Sequence, residues 1–228
     1  MEPFGKEHAE IYDDQFAAMS PLRDMLQLIA SLGLAGLPES ADILCAGAGT
    51  GSEVLRLARD NPGWRFHLVD PAPAMLDVAQ TRLVEAGIAD RCRLHVGFVS
   101  SLDTARVYDG ATSLLVSHFL TSQPERTDFF HQIAIRLKTG APFVNADLAA
   151  DRNDRSFDQL MDVWLTGLQR SSMADEQRRS YRQSFGTAFA AHAPAEVEQM
   201  MVSGGFAAPV QVFQGMLVRG WVTSPTAD

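Results

Sequence analysis

The sequence predicts an α/β fold, in which a doubly wound, mostly parallel sheet of seven strands ends in an antiparallel hairpin. Two observations lead to this prediction. Short apolar runs alternate with helical patterns between about residue 43 and residue 147, which is typical of βαβ units with right-handed crossovers. Two further strand patterns close the chain, and only Gln214-Gly215 separates them, which predicts a tight turn between antiparallel strands.

The elements before the sheet are helical. Residues 4–34 carry apolar side chains at helical spacing, with an interruption near Ser20-Pro21, and they predict a cap of one or two amphipathic helices. The sheet then begins with the apolar run Ile43–Ala46. A helical pattern from Thr50 to Arg59 follows a glycine-rich turn, and Asn61-Pro62-Gly63 ends that unit.

Four more strands are predicted where apolar runs stop at glycine, serine or aspartate, at Arg65–Val69, Arg91–Val96, Ala111–Ser117 and Pro142–Ala146. Helices follow two of these strands. One begins near Pro73 and stops at Gly87, and the other begins at the capping-box signature Ser122-Gln-Pro-Glu125 and stops at Thr139-Gly140.

The alternation of strands and helices breaks after Asp147. Residues 149–192 have helical patterns without a strand, so we expect a helical insertion there. Pro194–Ser203 predicts one more helix, which precedes the terminal strands Pro209–Phe213 and Met216–Val222. The length of 228 residues suits one large α/β domain with a small insertion, so we expect residues 1–228 to form a single domain.

Composition excludes several classes of protein. The 228 residues are 46% apolar and 21% charged, which favours a folded chain with a substantial core over a disordered one. The net charge of −9 disfavours nucleic acid as a partner. The arginines at 178, 179 and 182 stand beside Asp175 and Glu176, so a solvated helix face explains them.

The two cysteines, Cys45 and Cys92, fall in predicted buried strands and indicate reduced core thiols, so we expect neither a disulfide nor a metal site. The first ten residues, MEPFGKEHAE, lack the basic and then apolar pattern of a signal peptide. No apolar run approaches the ~20 residues of a membrane-spanning helix. We therefore expect a cytoplasmic protein without a membrane partner.

The chemistry is concentrated in residues 43–51, which read Ile-Leu-Cys-Ala-Gly-Ala-Gly-Thr-Gly. A strand, a turn with three alternate glycines and a helix start form a cradle for a ligand. Glycine lets the chain turn sharply and lets backbone amides approach a bound molecule. The helix start offers free N–H groups to a polar or anionic group. A glycine-rich turn without a ligand is the alternative.

The spacing of these glycines separates two classes of site. The dinucleotide fingerprint is G-x-G-x-x-G, and here Ser52 stands at its last position because Gly51 comes one residue earlier. The G-x-G-x-G spacing resembles motif I of the class I S-adenosylmethionine (SAM)-dependent methyltransferases. The same spacing disfavours an NAD oxidoreductase.

Asp70 is the second anchor of the predicted site. It ends the second strand, 19 residues after Gly51, at the edge of the sheet where open α/β sheets bind ligands. A carboxylate there can accept hydrogen bonds from both hydroxyls of a ribose. The alternative is that Asp70 caps the helix that begins near Pro71 to Pro73.

The resemblance covers about residues 10–224 and is carried by the segments ILCAGAGTG, HLVDPAPAML, LLVSHFL and GFAAPVQVFQGMLVRGWV. It implies the Rossmann-like class I methyltransferase fold, SAM as the cofactor and S-adenosylhomocysteine as its product. Pro71 and Met75 would flank the adenine, although Met75 could equally be a core residue. The implied cofactor-binding residues are Ala46, Gly47, Ala48, Gly49, Gly51, Asp70, Pro71, Met75, Phe98, Val99, Ser117 and His118.

Two positions depart from the family pattern. Cys45 stands where the family usually has an acid that orders the glycine loop or nearby waters. The stretch Gly97-Phe98-Val99-Ser100 lacks the aspartate that usually meets the adenine amino group. Phe98 or Val99 could still pack on adenine, with the backbone or Ser100 supplying the polar contact.

Methyl transfer from a sulfonium is an in-line displacement, which needs positioning and exclusion of water rather than a fixed catalytic triad. His118 is the candidate base, and a packed or hydrogen-bonded histidine is the alternative. Asp147 could face the substrate or begin the next loop. Arg23 could clamp the carboxylate of SAM or lie on the surface.

The acidic balance and the short chain favour a small-molecule methyl acceptor over RNA. The aromatic candidates for its pocket, any of which could instead be core, are Tyr12, Phe16, Phe119, Trp164 and Tyr181. By analogy with the family, the insertion at 149–192 could form a homodimer.

The architecture also resembles the carboxy-SAM synthases. In that group an arginine on the helix before the hairpin holds the added carboxylate, but the helix Ala195–Ser203 has Met200 at about the matching position. A tyrosine expected near the start of the N-terminal helix corresponds roughly to Leu22. We therefore expect ordinary SAM to be the cofactor. A non-enzymatic SAM-binding protein is a further alternative, motivated by Cys45 and Phe98.

Overall fold

The computed structural model describes residues 17–170, 175–190 and 192–226, so residues 4–16 of the predicted cap, with Tyr12 and Phe16, lie outside the described residues. Seven strands form one sheet. They are β1 (Asp42–Ala46), β2 (Arg65–Asp70), β3 (Cys92–Val96), β4 (Gly110–Leu114), β5 (Phe143–Leu148), β6 (Val210–Gly215) and β7 (Val218–Thr223).

The strand order is β3-β2-β1-β4-β5-β7-β6. The first five strands are parallel to one another, and β7 runs antiparallel to both β5 and β6. This topology confirms the predicted doubly wound sheet with a C-terminal hairpin. The order reverses between β1 and β4, and open α/β sheets bind their ligands at such a switch point.

Seven α-helices are present in the described residues. They are α1 (Ser20–Gly33), α2 (Ser52–Asp60), α3 (Pro73–Glu85), α4 (Gln123–Ala134), α5 (Phe157–Arg170), α6 (Asp175–Ser184) and α7 (Pro194–Ser203). The predicted interruption at Ser20-Pro21 is the start of α1, where proline is tolerated in the first turn. Ser122 accepts the backbone N–H of Glu125, as the predicted capping box requires. None of the described helices is both long and apolar enough to cross a bilayer.

Alternate residues of β1 belong to two different cores, one on each face of the sheet. Ile43 and Cys45 pack with residues of α1, α2 and α3, whereas Leu44 and Ala46 pack with residues of α4 and α7. This is the period of two that a central strand requires. A third cluster packs α5, including Trp164, against the β5 end of the sheet.

Two predicted strand boundaries are wrong. Strand β4 stops at Leu114 rather than Ser117, because Leu115 has a φ of 62° and Ser117–Phe119 forms a short 3-10 turn. The hairpin turn is Met216-Leu217 rather than Gln214-Gly215. Gly215 pairs with Val218 inside the ladder, where a Cβ would lie 2.7 Å from the Phe213 ring, so this glycine permits close packing instead of a turn.

Candidate functional site

A cleft of about 530 Å³ lies at the carboxyl ends of β1, β2 and β4. Its floor is the glycine turn and the start of α2, and α1 covers one side through Arg23 and Gln27. The turns after β2, β3 and β4 and the N-terminal half of α4 complete the wall. The cleft is therefore built by the elements that meet at the switch point.

The glycine turn has the left-handed backbone that its sequence predicts. Gly47, Gly49 and Gly51 have φ values of 75°, 52° and 75°. At Gly47 a Cβ would lie 2.4 Å from Cγ2 of Val116, so the strand end and the loop after β4 can approach only at a glycine. The turn is held to β2 by the Gly47 amide, which donates to the Val69 carbonyl over 2.8 Å.

Gly51 has a different role from the other two glycines. It does not line the cleft, and a Cβ there would meet Cβ of Ala79 at 3.2 Å. It is the N-cap residue of α2, so its small size lets the start of α2 pack on α3. Gly51, predicted to bind the cofactor, thus lies behind the cleft wall, where it allows α2 and α3 to pack closely.

Asp70 joins the glycine turn to the start of α3. Its Oδ2 accepts the Gly49 amide over 2.9 Å, and its Oδ1 accepts the Ala72 amide over 2.9 Å. Burial raises the pKa of Asp70, and the two amide hydrogen bonds oppose that rise. A carboxylate oxygen can accept two hydrogen bonds, so each oxygen keeps capacity for a ligand hydroxyl. The helix-capping alternative and the ribose-binding prediction are therefore compatible.

The predicted adenine-side residues all border the cleft. Pro71, Met75, Phe98 and Val99 line it beside Asp70. Met75 and Val99 are buried, whereas Phe98 is 65% exposed. A large exposed aromatic ring at the mouth of a cleft is available to stack on a planar ligand.

Ser117, His118 and Asp147 form a buried network that does not line the cleft. Asp147 accepts hydrogen bonds from the Ser117 hydroxyl, from the His118 ring and, over 3.0 Å, from the His118 backbone amide. Nη2 of Arg126 pairs with the same carboxylate at 3.0 Å, and all four side chains are buried. Burial alone would raise the pKa of Asp147, but Arg126, His118 and Ser117 lower it to about 2.

The network explains why three of the predicted site residues do not line the cleft. The 3-10 turn directs the side chains of Ser117 and His118 toward Asp147, whose exposed fraction is 0%. The structure assigns His118 and Asp147 to a buried hydrogen-bonded cluster, which agrees with the packed alternative for His118. Ala46 also lies in the core, with 1% exposure.

Of the predicted aromatic pocket residues that are described, Phe119 lines the cleft and is 40% exposed. Trp164 is buried in the α5 cluster, and Tyr181 packs on the Phe189 ring with 5.0 Å between ring centroids. Both are therefore packing residues.

Two functional candidates were missed by sequence reasoning. Glu53 of α2 is 7% exposed and lines the cleft, although a glutamate in a first helical turn normally indicates a solvated helix start. Arg126 of α4 is completely buried, although an arginine in a polar stretch of helix predicts exposure. In the sequence, neither residue carries a signal that separates it from ordinary surface charges.

The segment of the chain that holds the candidate site is similar to a known protein family. Residues 43–140, which include the glycine turn, Asp70 and β4, match the family model described as a methyltransferase domain. No curated protein matches the sequence.

Solved structures share the fold. An O-methyltransferase family protein from Burkholderia thailandensis matches with a TM-score of 0.70 at 12% identity, over 96% of this chain and 60% of that one. A putative O-methyltransferase from Nostoc punctiforme matches with a TM-score of 0.66 at 19% identity, over 91% of this chain and 58% of that one. The S-adenosylmethionine-dependent methyltransferase SibL matches with a TM-score of 0.64 at 17% identity, over 88% of this chain and 54% of that one.

This chain thus spans little more than half the length of these structures. At such identities the structural similarity shows the fold alone, and the family model covers only residues 43–140 of the chain. The chain therefore has the class I methyltransferase fold, and its residues 43–140 are similar to a methyltransferase domain.

Proposed function

We propose that this protein transfers the sulfonium methyl group of SAM to a small-molecule acceptor. The observation that carries the proposal is the hydrogen bond between the Gly49 amide and Asp70, which makes the glycine turn and the acid one wall of a single cleft. The cleft volume of about 530 Å³ suits a small ligand rather than a macromolecular substrate.

The residues present fit an adenosine-containing cofactor. Asp70 keeps acceptor capacity for the two ribose hydroxyls after its two amide bonds. Pro71, Met75 and Phe98 supply apolar surface for the adenine on the same side of the cleft. The name of SibL, an S-adenosylmethionine-dependent methyltransferase of the same fold, supports the choice of cofactor.

When bound, SAM would supply a methyl group that is already electrophilic, since it is attached to a positively charged sulfur. The protein then has to orient the reactants and exclude water. Leu115, Val116, Phe119 and Leu120 give the wall after β4 an apolar surface, which restricts water near the acceptor. Since His118 and Asp147 do not line the cleft, no base is assigned, and the acceptor is expected to react without losing a proton to the protein.

Small molecules remain the expected acceptor class because of the net charge of −9. The proposal is tested by incubating the protein with SAM and a panel of phenols, amines, thiols and carboxylates, and by following S-adenosylhomocysteine by mass spectrometry. Acceptor-dependent formation of S-adenosylhomocysteine is expected for the wild type and not for Asp70→Ala. Binding of SAM without turnover on any acceptor would favour a non-catalytic SAM-binding protein.

Mass spectrometry also distinguishes a methyltransferase from a carboxy-SAM synthase, by the mass of the retained ligand. Any adenosyl ligand that is retained through purification should have the mass of SAM or S-adenosylhomocysteine. A heavier carboxymethyl sulfonium would instead identify a relative of the carboxy-SAM synthases. Met200, at about the position of the arginine of that group, is 4% exposed and belongs to the core, which supports ordinary SAM.

A further inference from the structure

Glu53 is a buried carboxyl group on the wall of the cleft. It belongs to the first turn of α2, is 7% exposed and lines the cleft with Gly49 and Asp70. The Thr112 hydroxyl of β4 donates to its Oε1 over 2.9 Å. The Cys45 side chain of β1 also interacts with the same carboxyl group. Three elements of the fold therefore hold this side chain in one place.

The interaction with Cys45 places the Glu53 carboxyl group beside the β1 position that lacks the expected acid. Position 45 is where the sequence lacks an expected acid, and Glu53 brings a carboxyl group from the neighbouring helix to that side chain. The acid absent from β1 is thus replaced in space by an acid from α2. A glutamine or a leucine would serve packing alone, so the carboxyl group requires another explanation.

Within the described part of the chain, the side chains that interact with Glu53 are uncharged. These side chains are Thr112 from β4 and Cys45 from β1, and no cation of the described residues contributes to the pKa of Glu53. From α1, Arg23 and Gln27 line the same cleft. Burial raises the pKa of Glu53 to about 7, which Thr112 and Cys45 only partly oppose. A buried carboxylate is stabilised by a cation, and here the open side from which a cation can come is the cleft.

We propose that Glu53 binds the α-ammonium group of the amino-acid part of SAM, and that it takes the place of the acid missing at position 45. The inference rests on the proposed function, because it presupposes an adenosyl amino acid in the cleft. On binding, the carboxyl group pairs with the ammonium as a carboxylate, and the fraction that was protonated releases its proton to solvent. Glu53 acts in binding and positioning and takes no part in the displacement.

Three ligands separate the charges of the cofactor. SAM carries the ammonium, the carboxylate and the sulfonium, S-adenosylhomocysteine keeps the ammonium and the carboxylate, and 5′-methylthioadenosine has none of these charges. Glu53→Gln keeps the size and an acceptor for Thr112. It is expected to weaken SAM and S-adenosylhomocysteine about 10- to 100-fold, as for the loss of a hydrogen bond between charged groups, and to leave 5′-methylthioadenosine within about twofold. Glu85→Gln, at an exposed glutamate of α3, removes the same charge and should change none of the three affinities.

Proton release gives an independent readout. Calorimetric titrations with S-adenosylhomocysteine at pH 7, in buffers of different ionisation enthalpy, measure the protons released per ligand bound. With a pKa of about 7, roughly half a proton should be released by the wild type, and almost none by Glu53→Gln. Titration with 5′-methylthioadenosine should release almost none from either protein.

Returning the acid to β1 tests the replacement itself. Cys45→Asp in the Glu53→Gln background should recover at least part of the lost affinity for S-adenosylhomocysteine, and Cys45→Ser in that background should not. A thermal melt of each variant separates a weakened site from a misfolded protein. Equal weakening of all three ligands by Glu53→Gln would show a merely structural role, and weakening of SAM alone would assign the sulfonium as the partner; either result overturns the proposal. Failure of wild-type protein to bind any of the three ligands would instead contradict the proposed function.

Discussion

The Gly49 amide donates a hydrogen bond to Oδ2 of Asp70 over 2.9 Å, and this bond couples the two halves of the candidate site. One residue belongs to the turn after β1 and the other to the end of β2. The second carboxylate oxygen accepts the Ala72 amide, so Asp70 orders the glycine turn and the start of α3 together. A change at Asp70 is therefore expected to affect both a ligand contact and the shape of the cradle.

The glycines of the turn differ in what they tolerate. Gly47→Ala introduces both a left-handed residue and a Cβ that would lie 2.4 Å from Val116 Cγ2. We expect a loss of more than about 2 kcal/mol in the free energy of unfolding, measured by urea denaturation, since the left-handed backbone alone costs about 1–2 kcal/mol. In Gly49→Ala, no atom of the described residues lies within 4 Å of the new Cβ, so only the cost of the left-handed backbone is expected.

Val116→Ala provides the control for this comparison. In the Gly47→Ala background it removes the atoms that the new Cβ would meet, so part of the stability should return. The same change in the Gly49→Ala background should give no such recovery. Equal losses for the two glycine variants would contradict the packing described at Gly47.

Arg126 should be essential for stability because it compensates the buried Asp147 carboxylate. Arg126→Met leaves that charge without its cation, and we expect a loss of about 3–5 kcal/mol in the free energy of unfolding at pH 7. Arg65→Met, which removes a surface pair with Asp42, should cost less than about 1 kcal/mol. In the double variant Arg126→Met with Asp147→Asn, the combined loss should be smaller than the sum of the two single losses.

The lowered pKa of Asp147 predicts how the stability of the fold changes at acid pH. Because its folded pKa of about 2 lies below the ordinary 3.8, its contribution to stability is present above pH 3.8 and is lost as the pH falls toward 2. In Arg126→Met the main opposing charge is gone, so this loss should begin at a higher pH. An unchanged acid midpoint would argue against the ion pair.

Two buried groups should change stability in opposite directions between pH 7 and pH 4.5. Burial, with nearby Arg93, Arg106 and His95, lowers the pKa of His67 from 6.5 to about 4, so its protonation destabilises the fold as the pH falls. Glu53 has a raised pKa of about 7, so the fold is stabilised as the pH falls from 7 toward 4.5. For His67 the effect should reach about 2 kcal/mol at pH 5.

The contributions of His67 and Glu53 to stability partly cancel in the wild type, so each should be measurable in a variant that lacks the other residue. His67→Gln should gain stability relative to the wild type as the pH falls from 7 to 5, whereas Glu53→Gln should lose it. Thermal melts at closely spaced pH values would measure both slopes. If melting temperature changed with pH equally in the wild type and in one variant, the residue replaced in that variant would not contribute to the pH dependence of stability.

Much of the fold could be predicted from the sequence because it depends on local patterns. The apolar run of β1, the capping box at Ser122 and the glycine spacing are each local patterns, and the structure has the strand, the helix start and the turn that they predict. The position of Asp70 beside the glycine turn could also be predicted, because Asp70 follows Gly51 by the length of one helix and one strand. The hairpin turn could not, because Gly215 is explained by the Phe213 ring, a contact between strand neighbours that the turn statistics of glycine do not include.

The rest of the site depends on contacts between residues far apart in sequence. Ser117 and His118 lie outside the cleft because the backbone of Leu115 is left-handed. In the core, Asp147 and Arg126 form hydrogen bonds with them. Glu53 enters the cleft because Thr112 of another strand holds it. Neither effect has a signature within any one segment of the chain.

The central claim is that Asp70 and the glycine turn bind SAM, and calorimetric titration tests it most directly. Wild type, Asp70→Ala and Asp90→Ala should each be titrated with SAM and with S-adenosylhomocysteine. Asp90 is exposed and lies at the start of β3, so its variant controls for the change of charge. We expect binding of both ligands by the wild type and by Asp90→Ala, and affinities at least about tenfold weaker for Asp70→Ala. Unchanged affinity in Asp70→Ala, or no binding of either ligand by the wild type, would contradict the claim.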